Sequence, residues 1–104
     1  MSGQATLPGD QPTGLFIGGT WRDGERGTIA VENPATGEAI AEVADAGVAD
    51  GLAALEAAAS AQRAWGRTPA RERAEILRRA FEAVVARTDD LARVMTLEMG
   101  KPLA

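Results

Sequence analysis

The chain contains no cysteine, no histidine and no tyrosine among its 104 residues. Without cysteine, it has no disulfide, no thiolate metal ligand and no thiol nucleophile of its own. Without histidine, it lacks the side chain that most often acts as a general base or metal ligand. Any acid–base chemistry within this chain must therefore come from carboxylates, lysine or arginine.

The charge balance narrows the range of partners. The net charge is -4 at pH 7 and the pI is about 4.8. Nucleic acids and anionic membrane surfaces bind basic patches, so we expect neither as a partner. No stretch approaches the roughly 20 consecutive apolar residues of a membrane span. The opening MSGQATLPGDQPTG lacks the basic and apolar regions of a signal peptide, and we therefore expect a cytoplasmic protein.

The first half of the sequence has the pattern of short strands and turns. Residues 1–13 are mostly glycine, proline and polar residues, which is typical of a disordered tail. After them, LFI-GG-TW and TIAVE-NPATGE-AIAEV alternate strand formers with turn signals. We predict a small antiparallel β-meander over residues 15–43.

The second half has the pattern of amphipathic helices. Apolar residues recur at steps of three and four, which predicts helices over 48–66, 69–87 and 89–99. Asp50 falls in the first turn of the first helix, where its charge complements the helix dipole. We assign Thr68 as the N-cap of the second helix, and Gly100 as the C-cap of the third.

The second predicted helix has two chemically distinct faces. Its apolar stripe consists of Leu77, Phe81, Val84 and Val85. The opposite face carries charged residues, among which pairs four apart form weak ion pairs of about 0.3 kcal/mol each. The members of that face are Glu72, Glu75, Arg78, Arg79 and Glu82.

Two groups of charged residues resemble chemical motifs, and each has a simpler interpretation that we favour. Asp89-Asp90 resembles a catalytic carboxylate pair, but adjacent residues on a helix do not face each other, which favours an exposed helix start. A group of arginines suggests a phosphate-binding patch, but interleaved glutamates favour a solvated helix face. This group consists of Arg63, Arg67, Arg71, Arg73, Arg78 and Arg79.

The remaining candidates are weaker. The glycines of FIGGTW and NPATGE do not open a helix after a parallel strand, so we interpret them as hairpin turns and not as phosphate loops. Trp65 is either an anchor for a partner or part of a helix–helix core. Met95 and Met99 fit helix packing better than a binding groove. Lys101 follows a helix end, where a cation is favourable without any chemical role.

The order of several motifs resembles the N-terminal part of the NAD(P)-dependent aldehyde dehydrogenase superfamily. These motifs are LFIGGTW, VENPATGEAIAEV, an alanine-rich helix ending in AW, and TPARERAEILRRAFEAVVARTDDLARVMTLEMGKPLA. The resemblance runs from about Gly14 to Ala104 without large gaps, and it is closest to the succinate-semialdehyde dehydrogenases. It implies an α/β parent fold of roughly 450 to 500 residues, of which residues 14–104 would form an incomplete domain.

The resemblance also implies a reaction and a cofactor for the full-length family. A cysteine thiolate attacks the aldehyde, hydride passes to the nicotinamide of NAD or NADP, and a glutamate activates water to release the acid. In the family, these residues lie downstream of LEMGKP, so none is carried over to this chain. We expect no cofactor to bind these residues alone, and we expect partners to be the remainder of the fold or a homologous subunit.

One cation site is also implied by the resemblance. Some family members hold a monovalent cation between carbonyls before the NP turn and an acidic side chain in the LE-GKP segment. The matching positions are Val31, Glu32 and Glu98. Two carbonyls and a carboxylate suit a hard cation, although aspartate replaces this longer glutamate in some members.

Two functional hypotheses follow. In the first, the chain is an N-terminal portion of a succinate-semialdehyde-type aldehyde dehydrogenase and is inactive alone. In this hypothesis, Gly100 and Pro102 end a helix and Leu103 starts the next element of the larger fold. In the second, the chain is a stand-alone interaction module whose helices bury their apolar stripes against a partner or against a second copy.

Overall fold

A computed structural model describes residues 11–103 of the chain, which form short strands followed by three helices. The strands are β1 (Leu15–Ile17), β2 (Thr20–Arg22), β3 (Thr28–Glu32) and β4 (Ala39–Ala44). The helices are α1 (Val48–Arg67), α2 (Ala70–Ala86) and α3 (Thr88–Met99). The prediction of antiparallel strands followed by long helices is confirmed, and each helix end lies within one residue of its predicted bound.

Strands β1 and β2 form a tight hairpin. Phe16 pairs with Trp21, and their ring centroids lie 4.9 Å apart. Gly18 and Gly19 connect the strands with φ values of 61° and 85°. Positive φ at both central residues matches the right-handed twist of the strands and favours glycine, so the predicted two-residue turn is confirmed.

Strands β3 and β4 form a second hairpin around the NPATGE turn. The side chain of Asn33 accepts a hydrogen bond from the Ala35 N–H at 2.9 Å, and its carbonyl accepts one from the Gly37 N–H at 2.7 Å. The pairing register shifts between Val31 and Glu32. This irregularity interrupts the hydrogen-bond ladder just before the turn.

The predicted meander of short hairpins is present as two separate pairs of strands. Within residues 11–103, β1 pairs with β2 and β3 pairs with β4. Between them, the Arg26 N–H donates to the Asp45 carbonyl at 3.0 Å, and the Asp45 N–H donates to the Gly27 carbonyl at 2.8 Å. The connecting turn therefore bonds to the end of β4, and this directs β3 away from β2.

Thr68 was predicted to cap α2, but it closes α1 instead. Its hydroxyl donates to the Ala64 carbonyl at 2.9 Å, and its N–H donates to the carbonyls of Ala64 and Trp65. Pro69 is the N-cap residue of α2, and its carbonyl accepts the Arg73 N–H at 3.1 Å. A threonine hydroxyl bonds to a preceding turn as readily as to a following one, so the assignment to α2 was wrong.

Helices α2 and α3 share one capping residue. Arg87 ends α2 by donating its N–H to Val84, and its carbonyl accepts the Leu91 N–H at 2.9 Å. At the other end of α3, Gly100 has φ 79° and donates its N–H to Thr96. The predicted glycine C-cap is therefore confirmed, because this left-handed conformation favours glycine.

The described residues enclose very little core. Leu97 of α3 is the buried hydrophobic residue, with 4% of its surface exposed. The radius of gyration is 17.3 Å, compared with about 13 Å for a compact domain of 100 residues. Helix α1 contacts β1, and α2 contacts α3. These elements therefore form an open arrangement in which most large apolar side chains lie on the surface.

The predicted tail lies mostly outside the described part of the chain. Residues 1–10 fall there, while the Thr13 carbonyl accepts the Ala44 N–H at 2.8 Å. This bond places residue 13 beside the end of β4. None of the helices between residues 11 and 103 has the length and hydropathy of a membrane span.

Candidate functional site: an uncovered apolar surface beside a buried carboxylate

Asp50 is the buried charged residue of the described chain, with 4% of its surface exposed. Its Oδ1 accepts a hydrogen bond from Arg22 Nη2 at 2.7 Å. Its Oδ2 accepts the N–H groups of Glu25 at 2.7 Å and Gly47 at 2.9 Å. The carboxylate therefore joins the first hairpin, the following turn and the start of α1.

The same contacts fix the charge of Asp50. Hydrogen bonds from Arg22 and from the Glu25 and Gly47 N–H groups lower its pKa from 3.8 to about 2. A carboxylate that is ionised and fully engaged at neutral pH is a poor proton carrier, so its role is structural. Sequence reasoning assigned Asp50 only a dipole role. The spacing of Gly47 and Asp50 is the signal for the third bond, because an acidic residue at N3 reaches back to the N-cap N–H.

The structure brings together two of the three residues of the predicted cation site. Val31 and Glu98 line a cavity of about 130 Å³, together with residues of β4 and α3. A Cβ added at Gly100 would lie 3.5 Å from Pro34, so the end of α3 approaches the NPATGE turn. Glu32 is adjacent in sequence but is not among the lining residues. No cluster of three acidic residues that could hold a metal occurs between residues 11 and 103.

The other charged candidates remain dispersed. Asp89 and Asp90 are exposed in the first turn of α3. Arg78 pairs with both Glu75 and Glu82 on the surface of α2. The pairing predicted for residues four apart is present between Arg78 and Glu82, whereas Glu75 pairs with Arg78 three residues away. The Glu75–Arg78 hydrogen bond lowers the pKa of Glu75. These arrangements are those of solvated helix faces.

The glycine turns do not form a cradle for a nucleotide. The Gly18-Gly19 turn connects antiparallel β1 and β2, and the turn containing Gly37 connects antiparallel β3 and β4. Binding of a dinucleotide phosphate requires a glycine-rich turn that leads from a parallel strand into a helix. These two turns therefore lack the strand-to-helix geometry of such a phosphate site.

The most extensive chemical feature is uncovered apolar surface. We define the α2 stripe as Leu77, Phe81, Val84 and Val85, which are between 53% and 66% exposed. Met95 and Met99 on α3 are also more than half exposed, as are Leu52 and Leu55 on α1. Trp65 is 39% exposed and lies in a shallow groove with other residues of α1. The α2 stripe lies along one face of its helix, and an exposed apolar face of this kind marks an interface.

Comparison with known proteins identifies the family. The aldehyde dehydrogenase family model matches residues 21–104. The chain is 50% identical over 90 residues to a glutarate-semialdehyde dehydrogenase of Pseudomonas aeruginosa, covering 86% of this chain and 19% of that protein. It is 62% identical over 65 residues to a succinate-semialdehyde dehydrogenase of Paenarthrobacter nicotinovorans, covering 62% of this chain and 14% of that protein.

The fold comparison agrees. The crystal structure of succinate-semialdehyde dehydrogenase from Burkholderia pseudomallei matches with a TM-score of 0.80 and 46% identity, covering 85% of this chain and 18% of that one. The chain thus spans about a fifth of the length of the relatives that it matches. The family model covers most of the chain, and the solved relative has the same arrangement of strands and helices. The chain therefore belongs to the aldehyde dehydrogenase family.

Proposed function

We propose that this chain supplies the N-terminal segment of an NAD(P)-dependent enzyme that oxidises a small semialdehyde to its acid, and that it is inactive alone. The observation that carries the proposal is the 50% identity over 90 residues to a glutarate-semialdehyde dehydrogenase. Members of the family use NAD(P). The substrate class follows from those of the relatives, a glutarate-semialdehyde dehydrogenase and a succinate-semialdehyde dehydrogenase.

The role of this chain in such an enzyme is structural. The described residues contain neither a thiol nor a phosphate cradle, so substrate and cofactor contacts come from the rest of the fold. The Asp50 network holds the first hairpin against α1, and the helices present apolar faces to that remaining part. Such a segment contributes to catalysis by supporting the geometry of groups that it does not touch.

The proposal is tested with a covalent chimera. Residues 14–104 replace the matched segment of the Pseudomonas aeruginosa enzyme, and reduction of NAD and NADP is followed with succinate and glutarate semialdehydes. We expect an active chimera, an inactive deletion of the same segment, and no turnover by the 104-residue chain alone. A folded but inactive chimera would contradict the proposed role, and turnover by the pure chain would contradict its inactivity.

The proposed enzyme segment also holds a monovalent cation. The carbonyls of Val31 and Glu32 and the carboxylate of Glu98 are the ligands in this proposal. The shared cavity of Val31 and Glu98 supports it, as does the register shift between Val31 and Glu32, which interrupts the strand ladder at those carbonyls. Oxygen ligands of this kind suit Na⁺ or K⁺.

A second candidate function is an interaction module without enzymatic activity. The exposure of the α2 stripe favours it, because a module that self-associates buries such a stripe against a second copy. Light scattering on the purified chain distinguishes the candidates. A discrete dimer supports the module, whereas a monomer or an aggregate supports the enzyme segment.

A further inference from the structure

Helix α2 is amphipathic, and its apolar face is exposed. Its 17 residues place the α2 stripe opposite a polar face on which Arg78 pairs with Glu75 and Glu82. Most of the stability of such a helix in a protein comes from packing of its apolar face and not from its own propensity. The exposed stripe, with Phe81 at 66%, is therefore a surface that lacks its packing partner.

Residues 11–103 do not provide that partner. Helix α2 contacts α3, but Met95 and Met99 of α3 are themselves 54% and 64% exposed. Leu77 and Val84 of the α2 stripe are likewise 64% and 56% exposed, so α3 leaves the stripe uncovered.

The comparison shows how much of a solved relative lies outside the matching segment. In the succinate-semialdehyde dehydrogenase of Burkholderia pseudomallei, the matching segment has the same fold and accounts for 18% of the chain. We propose that the α2 stripe is a docking surface for the other four-fifths of an aldehyde dehydrogenase, and that this chain binds that body non-covalently when supplied as a separate polypeptide. The inference rests on the proposed function and adds the surface and the mode of assembly.

The direct test is co-expression. The tagged 104-residue chain is produced with Pseudomonas aeruginosa glutarate-semialdehyde dehydrogenase lacking the matched segment, and the stoichiometry of the purified complex is measured by light scattering. The segment of the relative itself, supplied as a separate chain, is the positive control. We expect a one-to-one complex that Phe81→Asp weakens at least about tenfold, because the charge would be buried in an apolar interface.

Arg79→Gln is the matched control, since it lowers the net charge by the same one unit on the same helix, away from the α2 stripe. We expect it to retain binding within about twofold, as is usual for an exposed substitution. Capture of the truncated enzyme by the segment of the relative but not by this chain would overturn the proposal. So would equal losses with Phe81→Asp and Arg79→Gln, or a stable dimer of the chain alone that Phe81→Asp dissociates.

If neither this chain nor the segment of the relative captures the truncated enzyme, the inference is tested in the covalent chimera. There, Phe81→Asp is expected to lower Tm by about 5 °C or more, and Arg79→Gln to leave it nearly unchanged. Equal Tm values for the two variants would overturn the docking surface. If the chimera is active and neither Phe81→Asp nor Arg79→Gln changes its Tm, this inference alone is rejected. A folded but inactive chimera would reject the proposed function.

Discussion

Arg22 Nη2 lies 2.7 Å from Asp50 Oδ1, and this ion pair joins strand β2 to the first turn of α1. The side chain of Asp50 is 6% exposed, whereas both partners of the Arg78–Glu75 pair on α2 are about half exposed. A buried carboxylate with several donors is costly to disrupt because its partners remain unsatisfied, while exposed pairs contribute little. The contact between the first hairpin and the helical half therefore depends strongly on one side chain.

Asp50→Asn is expected to lower Tm clearly. Asparagine has nearly the same shape, but its NH₂ group is a hydrogen-bond donor. That group would face donor groups of Arg22, Glu25 and Gly47, whose hydrogen bonds Asp50 now accepts. Glu82→Gln is the control, because it removes an exposed pair and should change Tm by about 3 °C or less. Thermal unfolding followed by circular dichroism measures both, and equal Tm losses would contradict the structural role of Asp50.

The stability of the fold should depend on pH through the same residue. The pKa of Asp50 is lowered to about 2 in the folded chain, against an ordinary value of 3.8. Its contribution is therefore fully present above about pH 4 and is lost as the pH falls toward 2. The Tm difference between the wild-type chain and Asp50→Asn should shrink across that interval. A difference that stays constant from pH 6 to pH 2 would show that the ionised carboxylate is not responsible.

Two glycine substitutions should have opposite effects. A Cβ at Gly24 would overlap the Asp45 carbonyl oxygen, so Gly24→Ala should destabilise the fold by about 1–3 kcal/mol. A Cβ at Gly51, inside α1, would meet nothing within 4 Å. Gly51→Ala should therefore stabilise the helix by about 0.5–1 kcal/mol. Urea unfolding of both variants tests the pair, and a neutral Gly24→Ala would disprove the close approach to Asp45.

The proposed cation site predicts a specific salt effect. NaCl or KCl should raise Tm relative to choline chloride at equal ionic strength. At a cation concentration of ten times Kd, the free energy of unfolding should increase by about 1.4 kcal/mol. Glu98→Gln should abolish the difference, because it removes the charged ligand. Glu42→Gln, on β4 and not in the cavity lining, serves as the control and should leave the salt effect intact. Identical Tm values in all three salts would eliminate the site.

Features that depend on neighbouring residues were predictable from the sequence. The Gly18-Gly19 turn and the Gly100 cap follow from local backbone requirements, and both are present. The apolar stripe of α2 follows from its helical period. The family was identifiable because its motifs are contiguous stretches.

Features that depend on distant residues were not predictable in this way. Arg22 and Glu25 lie 28 and 25 residues from Asp50, so no local pattern signals the shared carboxylate. Alternation in TIAVE identifies a strand but not its neighbour, so the predicted meander of hairpins did not show that β2 and β3 would not pair with each other. The helix that Thr68 caps was ambiguous for a similar reason, because its hydroxyl lies between the end of α1 and the start of α2.

The exposure of the α2 stripe links the amount of folded chain to the supply of its partner. If the stripe is stabilised by binding, mass action makes apparent stability rise with the partner's free concentration. Chains produced in excess would present unsatisfied apolar surface, and proteases and chaperones act on such molecules continuously. In the co-expression experiment, the recovered amount of this polypeptide would then follow the amount of the body that it binds, without any change in its own synthesis.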